Sequence, residues 1–351
     1  MKQVLHRENL NVGIIGFGFM GRMHDRCWRA LPDVRIAAVC DPDAAALKDG
    51  GGPRGNIAGA SESVDLSDVA IYSDPAELFA HEQLDAVSIT VPTYLHADVS
   101  VRALEAGVHV LCEKPMALSS AEGQRMVDAA AHADRYLQIG HCIRFWPEYA
   151  KAKEIVADRT YGRVISAAFR RFSATAHTRR GHWFADTARS GGMLFDLHSH
   201  DTDFVQHLFG QPESIISHGD LASGDANHIL TAYRYADGPL VTAEGGWAMT
   251  PSHGFQMAFT LVMEKAVICF DSKKSPAFMV YPVSGESFSP SVAAGDGYEH
   301  QIRYFVSRIR GERVPSVISP HDALMTLRLL EAERESLTTG QKIEIKEEAI
   351  G

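Results

Sequence analysis

Short apolar runs alternate with helical patterns through roughly the first 140 residues. "NVGIIG" (11–16), "VRIAAVC" (34–40), "VAIY" (69–72), "DAVSITV" (85–91), "VHVLCE" (108–113) and "YLQIG" (136–140) read as buried strands. Between them, Met23, Cys27 and Leu31 recur at helical spacing before the stop at Pro32. "PAELFAHE" predicts a helix capped by Asp74 with Pro75 in its first turn. His96–Ala106 predicts another, ended by Gly107, and Ser119 with Glu122 forms a capping box for a helix reaching about Asp134. Unbroken apolar strands alternating with helices indicate a parallel sheet covered on both faces. The glycine-rich stretch 49–62 interrupts the series and reads as a mobile surface loop.

The pattern changes after about residue 155. "GRVISAAFRRF" is strand-like, and two hairpins follow, one around Asp237-Gly238 and one around Glu264-Lys265. "FMVYPV" adds a strand. Helices are expected over Tyr298–Arg310 and from Pro320, capped by Ser319, to about Leu337, with "KIEI" as a last strand. Runs of strands indicate a second sheet, mostly antiparallel, distinct from the first half. No internal repeat is visible.

Composition narrows the function classes. The 351 residues carry a formal charge of −10 and 45% hydrophobic content, ordinary for a two-domain globular chain. No basic block suggests a nucleic-acid or anionic-membrane surface. Five scattered cysteines without a CxxC pair point to reduced thiols and a cytoplasmic setting. No apolar run is long enough to cross a bilayer.

Gly16-Phe17-Gly18-Phe19-Met20-Gly21 follows an apolar strand and opens a helix. Asp41 ends the next strand, 20 residues beyond Gly21, which completes the dinucleotide-binding fingerprint. Gly16 permits the turn, Gly18 lets the backbone approach a pyrophosphate, and Gly21 lets helix and strand pack. The helix N-terminus offers N–H donors to phosphate. Asp41 would accept from the ribose hydroxyls and repel a 2′-phosphate, which favours NAD over NADP. The alternative for Asp41 is a plain strand-end residue. Arg22 and His24, on the first turn of the helix, read as surface groups rather than ligands. The expected fold is therefore α/β: a Rossmann domain over 1–142, then a C-terminal domain over 143–351 built on the second sheet, with its last helix able to pack back on the Rossmann domain.

Cys112-Glu113-Lys114-Pro115 ends another apolar strand. Ligands in open parallel sheets sit beyond the carboxyl ends of strands, so Lys114 would project towards a bound nicotinamide and favour a developing alkoxide. Pro115 is a candidate for a cis bond. A solvated lysine before a helix-starting proline is an equally open reading.

"GIIGFGFMG", "VPTYLHADVSVRALEAGVHVLCEKPMAL", "GHCIRFWPEY" and "SGGMLFDLHSHDTDF" together resemble the glucose–fructose oxidoreductase/inositol dehydrogenase (Gfo/Idh/MocA) family across nearly the whole chain. The resemblance implies an NAD(P)-dependent enzyme moving a hydride to or from a secondary alcohol of a sugar, sugar derivative or cyclitol. It implies that Lys114 is the catalytic lysine, that Pro92, His96 and Glu113 lie on the cofactor side, and that the C-terminal domain is α/β (α+β) with a large open sheet that forms a homodimer or homotetramer. In the stretch 191–204, Gly191, Gly192, Asp196, His200 and Asp203 fit the family pattern. On a helix Asp196 and His200 would share a face. Neutral histidine suits proton removal near neutral pH, so His200 is assigned as general base, with Asp196 orienting it or the substrate hydroxyl. Asp203 reads as a support for the helix. His198 stands where the family has glycine, and two readings stay open, a substrate contact or interior packing. His198-Ser199-His200 raises a metal reading, but HxH projects both rings together only on a strand, whereas the resemblance implies a helix start. No metal is therefore assigned.

Arg144, His177, Arg179 and Trp183 are candidates for gripping substrate hydroxyls, with Arg180 and His182 beside them. Phe145 and Trp146 offer an apolar wall or ordinary core. Two other functions keep the same fold: an NAD-dependent glycosidase that oxidises and eliminates, and a non-catalytic NAD- or sugar-binding regulator. The intact Lys114, Asp196 and His200 speak against the regulator.

Overall fold

The structure, a computed structural model, describes residues 9–43, 64–174, 183–221 and 226–346. The stretch 49–62 and the candidates His177, Arg179, Arg180 and His182 lie outside the described residues. The chain divides into two compact units, Met1–Cys142 with Asp296–Leu324, and Ile143–Gly295 with Met325–Gly351. Residues 296–324, within the span expected for the second domain, thus group with the first, and of the last helix, expected to be able to pack back, the start up to Leu324 does so.

In the first unit the described strands are β1 (Leu10–Ile15), β2 (Val34–Cys40), β3 (Ala70–Tyr72), β4 (Ala86–Ile89), β5 (His109–Cys112) and β6 (Leu137–Ile139). They form a parallel sheet in the order β3-β2-β1-β4-β5-β6, the doubly wound arrangement expected for a dinucleotide fold. The strands are mostly apolar because both faces are covered, with Ile14, Val39, Val87, Val110 and Leu111 fully buried, though Ser88, His109 and Gln138 are buried polar members. Helices α1 (Phe19–Arg29), α2 (Pro75–His81), α3 (His96–Glu105) and α4 (Ser120–His132) supply the cover. Their boundaries have the expected causes. Asp74 accepts from the Ala76 N–H at 2.9 Å, and Ser119 accepts from Glu122 N–H at 3.3 Å.

In the second unit, helix α5 (Pro147–Asp158) comes first, then a short α6 (Thr187–Ser190), a π-helical turn over Leu194–His198 and α7 (Ser199–Phe209). The remaining strands are β7 (Val164–Ala174), β8 (Ser214–Asp220), β9 (His228–Arg234), β10 (Leu240–Met249), β11 (Gln256–Met263), β12 (Ala266–Asp271), β13 (Phe278–Pro282) and β14 (Ile343–Glu344). Their sheet runs β13-β12-β11-β7-β10-β9-β8-β14, antiparallel except for the parallel pair β7–β10. Strict alternation in β11 and β12 buries one face. On the buried side Tyr149 meets Phe204, Phe259 and Phe270 edge-on at 4.8–5.4 Å. Helix α8 (Gly297–Ile309) belongs to the first unit, and α9 (Pro320–Thr339) begins in the first and continues in the second. Phe305 of α8 packs edge-on to Trp28 of α1 at 6.0 Å.

Candidate active site

In the first unit the glycine loop leaves the carboxyl end of β1 and the Glu-Lys-Pro turn leaves that of β5. Both come off one edge of the sheet, since Ile15 pairs with Ile89 and Ile89 with Cys112. Two strand spacings separate them, about 10 Å.

The loop's three glycines have different reasons. Gly16 has φ of 88°, and a Cβ there would lie 2.7 Å from the Thr90 backbone. A Cβ on Gly21 would fall 2.2 Å from the Gly16 carbonyl oxygen, so glycine is required for close packing. A Cβ on Gly18 would meet nothing within 4 Å. That open approach leads to the N-terminus of α1, which has no side-chain cap and no acidic residue in its first turn. Uncapped N–H groups at a helix start suit an anionic phosphate, so the local structure fits a pyrophosphate there. Asp41 is half-buried, and its Oδ2 accepts from the Phe17 N–H at 2.8 Å. The carboxylate is thereby fixed beside the loop. Phe19 and Met20 are half-buried, and Phe17 is buried with the Arg22 guanidinium 5.3 Å from its ring centroid.

Arg22 and His24 are not surface groups: they are 2% and 0% exposed. Their partners are distant in sequence, which local reading does not register. His24 Nε2 lies 3.0 Å from Glu113 Oε1, and Glu113 Oε2 accepts from the Lys114 backbone N–H at 3.2 Å. Burial raises the Glu113 carboxyl, but His24, Lys114 and His96 outweigh it and hold the group below its ordinary range. Glu113 is therefore built into the turn. Lys114 is half-buried, and the Lys114–Pro115 bond is cis.

His96 is buried, with Nδ1 2.8 Å from the Pro115 carbonyl oxygen and Nε2 3.0 Å from that of Val91. It ties the turn to the loop that contains half-buried Pro92. Burial pulls the imidazole pKa below its ordinary value, against the two carbonyls that favour the charged ring.

In the second unit Asp196 lies inside the π turn, where Ser199 N–H bonds to the Leu194 carbonyl, five residues back. One extra residue in the turn alters the phase between Asp196 and His200, so α-helical spacing alone does not set their relation. Both are half-buried, whereas His198 is fully buried and turned inward. On this helical backbone the two histidines of HxH do not share a face. Among the described residues no group of three or more His, Cys, Asp or Glu side chains is placed to hold a metal ion.

His198 Nε2 is 3.4 Å from Glu333 Oε2, a contact without hydrogen-bond geometry. Gly245 lies against the ring, where a Cβ would approach Nδ1 to 2.7 Å. Burial first, then the Arg171 and His228 charges, pushes the His198 pKa down to about 3. Glu333 accepts from Tyr233 Oη at 2.6 Å and from Thr202 Oγ1 at 3.1 Å, and burial raises its carboxyl to about 8. Sequence carries no signal for this cluster, because Glu333 in "EAERES" reads as a solvated helix position.

Arg144 was a substrate candidate, but it is 4% exposed and forks onto Asp203 at 2.8 and 2.7 Å. Thr326 Oγ1 also donates to Asp203, at 3.1 Å. Arg171 grips Asp201 in the same bidentate way, at 2.8 and 3.1 Å. Burial raises the Asp201 carboxyl, against the pull of Arg171. Two buried acid–guanidinium pairs thus anchor α7, which carries His200. Trp183 is half-buried in a short turn and meets Phe184 edge-on at 5.5 Å, and Phe184 in turn lies 5.2 Å from Trp247. Phe145 is buried, Trp146 half-buried.

Residues 10–141 match the oxidoreductase family with an NAD-binding Rossmann fold, and residues 149–269 match the Gfo/Idh/MocA C-terminal domain. Myo-inositol 2-dehydrogenase of Thermotoga maritima is 24% identical over 97% of this chain and 100% of its own length. Inositol 2-dehydrogenase 4 of Saccharopolyspora erythraea is 30% identical over 68% of each chain. Among solved structures, levoglucosan dehydrogenase in complex with NADH and levoglucosan superposes with a TM-score of 0.82 at 20% identity, covering 97% of this chain and 100% of that one. At that identity the likeness shows the fold alone.

Proposed function

Since the chain belongs to the Gfo/Idh/MocA family of NAD-binding oxidoreductases, we propose that it transfers a hydride between NAD and a secondary alcohol or ketone of a sugar, sugar derivative or cyclitol. The observation that carries this reading is the pairing, on one sheet edge, of an open glycine loop with a tethered lysine. The inositol dehydrogenases among its relatives support the substrate class.

When bound, the nicotinamide supplies the hydride acceptor for oxidation and the donor for reduction. Asp41 accepts from the ribose hydroxyls, and its negative charge disfavours a 2′-phosphate. Lys114 donates a hydrogen bond to the substrate oxygen and stabilises negative charge as it develops. His200 takes the hydroxyl proton in oxidation and returns it in reduction, and Asp196 orients the hydroxyl or the imidazole. Trp183, His177 and Arg179 remain candidates for substrate contact. Arg144 acts instead through Asp203, and His198 through the packing behind α7.

The outward face of the second sheet carries Ile165, Leu230, Leu240 and Tyr281, all more than two-fifths exposed. An apolar sheet face of this kind supports association with a second copy of the chain. Among the described residues no helix is long and apolar enough to cross a membrane. Among the described residues the five cysteines form no disulfide, which supports the reading of reduced thiols in the cytoplasm.

The test supplies NAD with a panel of cyclitols and sugars and follows NADH absorbance. Lys114→Met should lower kcat/KM by about 10²–10⁴-fold, the range for loss of one charge-stabilising donor with its proton-transfer support. Equal turnover by both proteins would refute the role given to Lys114.

A further inference from the structure

Beneath the Glu-Lys-Pro turn runs a buried polar chain that the reaction as read above does not use. Trp28 Nε1–H donates to Ser88 Oγ at 2.8 Å. Ser88 Oγ lies 2.9 Å from His24 Nδ1, and His24 Nε2 lies 3.0 Å from Glu113 Oε1. Glu113 Oε2 receives the Lys114 amide at 3.2 Å. His24 and Ser88 are fully buried and Glu113 nearly so. With the indole N–H fixed as a donor into Ser88 Oγ, the serine proton serves His24 Nδ1. The imidazole then keeps a proton on Nε2 for the carboxylate.

Core filling does not account for this arrangement, because an isolated buried carboxylate is costly and an apolar side chain would pack more simply. Nor can Glu113 swing away. A Cβ on Gly140, past the end of β6, would lie 2.7 Å from Glu113 Oε1, so backbone closes off that side. His96 from α3, Tyr298 from α8, Cys112 and Lys114 surround the same carboxylate electrostatically, but His24 makes the direct side-chain hydrogen bond.

We infer that His24 is a positioning residue for the Glu-Lys-Pro turn. It holds Glu113, Glu113 holds the Lys114 amide, and the lysine is aimed from the helix that opens the glycine loop. This rests on the reading of Lys114 as the catalytic lysine. The linkage places the cofactor-facing helix and the lysine on one hydrogen-bonded frame, three elements wide: α1, β4 and the end of β5.

The tether is tested first without cofactor, by hydrogen exchange of the peptide spanning 112–118. His24→Leu removes the donor, and the Lys114 amide should then exchange at least ~10-fold faster, with β1 and β4 unchanged. His24→Gln keeps an N–H and should stay within about 3-fold of wild type. With saturating NAD and substrate, kcat should fall about 10–100-fold in the leucine variant and largely recover in the glutamine variant, while the NAD dissociation constant moves less than about 3-fold. His24→Asn, too short to reach Glu113, replaces the leucine variant if that protein does not fold, and should show the same losses. Unchanged exchange at Lys114, faster exchange with full kcat, or a glutamine variant as damaged as the leucine one would each overturn the inference. Full turnover by Lys114→Met would refute the lysine's own role and leaves the exchange result to decide the tether.

Discussion

Glu333→Gln is the most informative single change in the second unit. Glu333 is wholly buried between Tyr233, Thr202 and His198, with its carboxyl raised to about 8 from an ordinary value of 4.5. In the native protein at neutral pH it is therefore a carboxylic acid. Raised in the folded state, it contributes stability that is fully present below about 4.5, and that stability is lost as pH rises towards 8. Each pH unit in that window is worth about 1.4 kcal/mol, so the wild-type protein loses roughly 4–5 kcal/mol across it. Glutamine keeps the carbonyl that accepts from Tyr233 and cannot ionise. Chemical denaturation of both proteins at pH 5, 6.5 and 8 checks this. The variant should be close to wild type at pH 5 and more stable by a few kcal/mol at pH 8. His198 has the opposite dependence. Its pKa lies at about 3 in the folded protein against 6.5 ordinarily, so its contribution is present above 6.5 and lost as pH falls. That slope is common to both proteins and cancels in the comparison. A difference that does not change with pH would refute the neutral carboxyl. A variant several kcal/mol less stable at every pH would mean that Glu333 is ionised and paired with a charged His198.

Two further outcomes follow from the same structure. Arg171→Met strips the partner from fully buried Asp201 and should cost about 3–5 kcal/mol in denaturation, whereas Arg171→Met with Asp201→Leu should recover most of the loss. Asp41→Ser removes the acceptor that fixes Phe17 N–H and meets the ribose, so the NAD dissociation constant should rise about 10–100-fold by calorimetric titration, with NADP affected less.

The two sheets were largely legible in the sequence. Strands of a covered parallel sheet are mostly apolar, so "VRIAAVC" coincides with β2, and the turns at Asp237-Gly238 and Glu264-Lys265 do join antiparallel strands. The helix Pro147–Asp158 has its signals in Pro147 at the first turn and in Tyr149, Ala152 and Ile155, which follow directly on an aromatic stretch that suits ligand contacts equally well. Strand β8 went unread, because "SIISHGD" shifts from apolar to polar along its length.

Most of what stayed hidden at the candidate site concerns buried charge. His24 is paired with Glu113, Arg144 with Asp203 and Arg171 with Asp201, across separations of 89, 59 and 30 residues. Local pattern reports whether a residue suits a helix or a strand. It does not report which distant charge the topology delivers, so Arg22 and His24 read as surface groups and Arg144 as a substrate contact. The π turn was equally silent, since the preference for one extra residue per turn has no composition of its own.

Strand β7 lies at the centre of its sheet, yet both its neighbours are synthesised later, with Ser166 opposite Leu240 on one side and Val262 on the other. At about 5–20 residues per second a growing chain holds this strand without its ladder for roughly 4–15 s. An unpaired apolar strand is then an aggregation hazard, and the adjacent Arg170 and Arg171 interrupt it with charge. In the folded protein Arg171 is buried and its charge is met by Asp201. One arginine thus puts charge into the strand before its ladder exists and forms a buried ion pair once the sheet is complete.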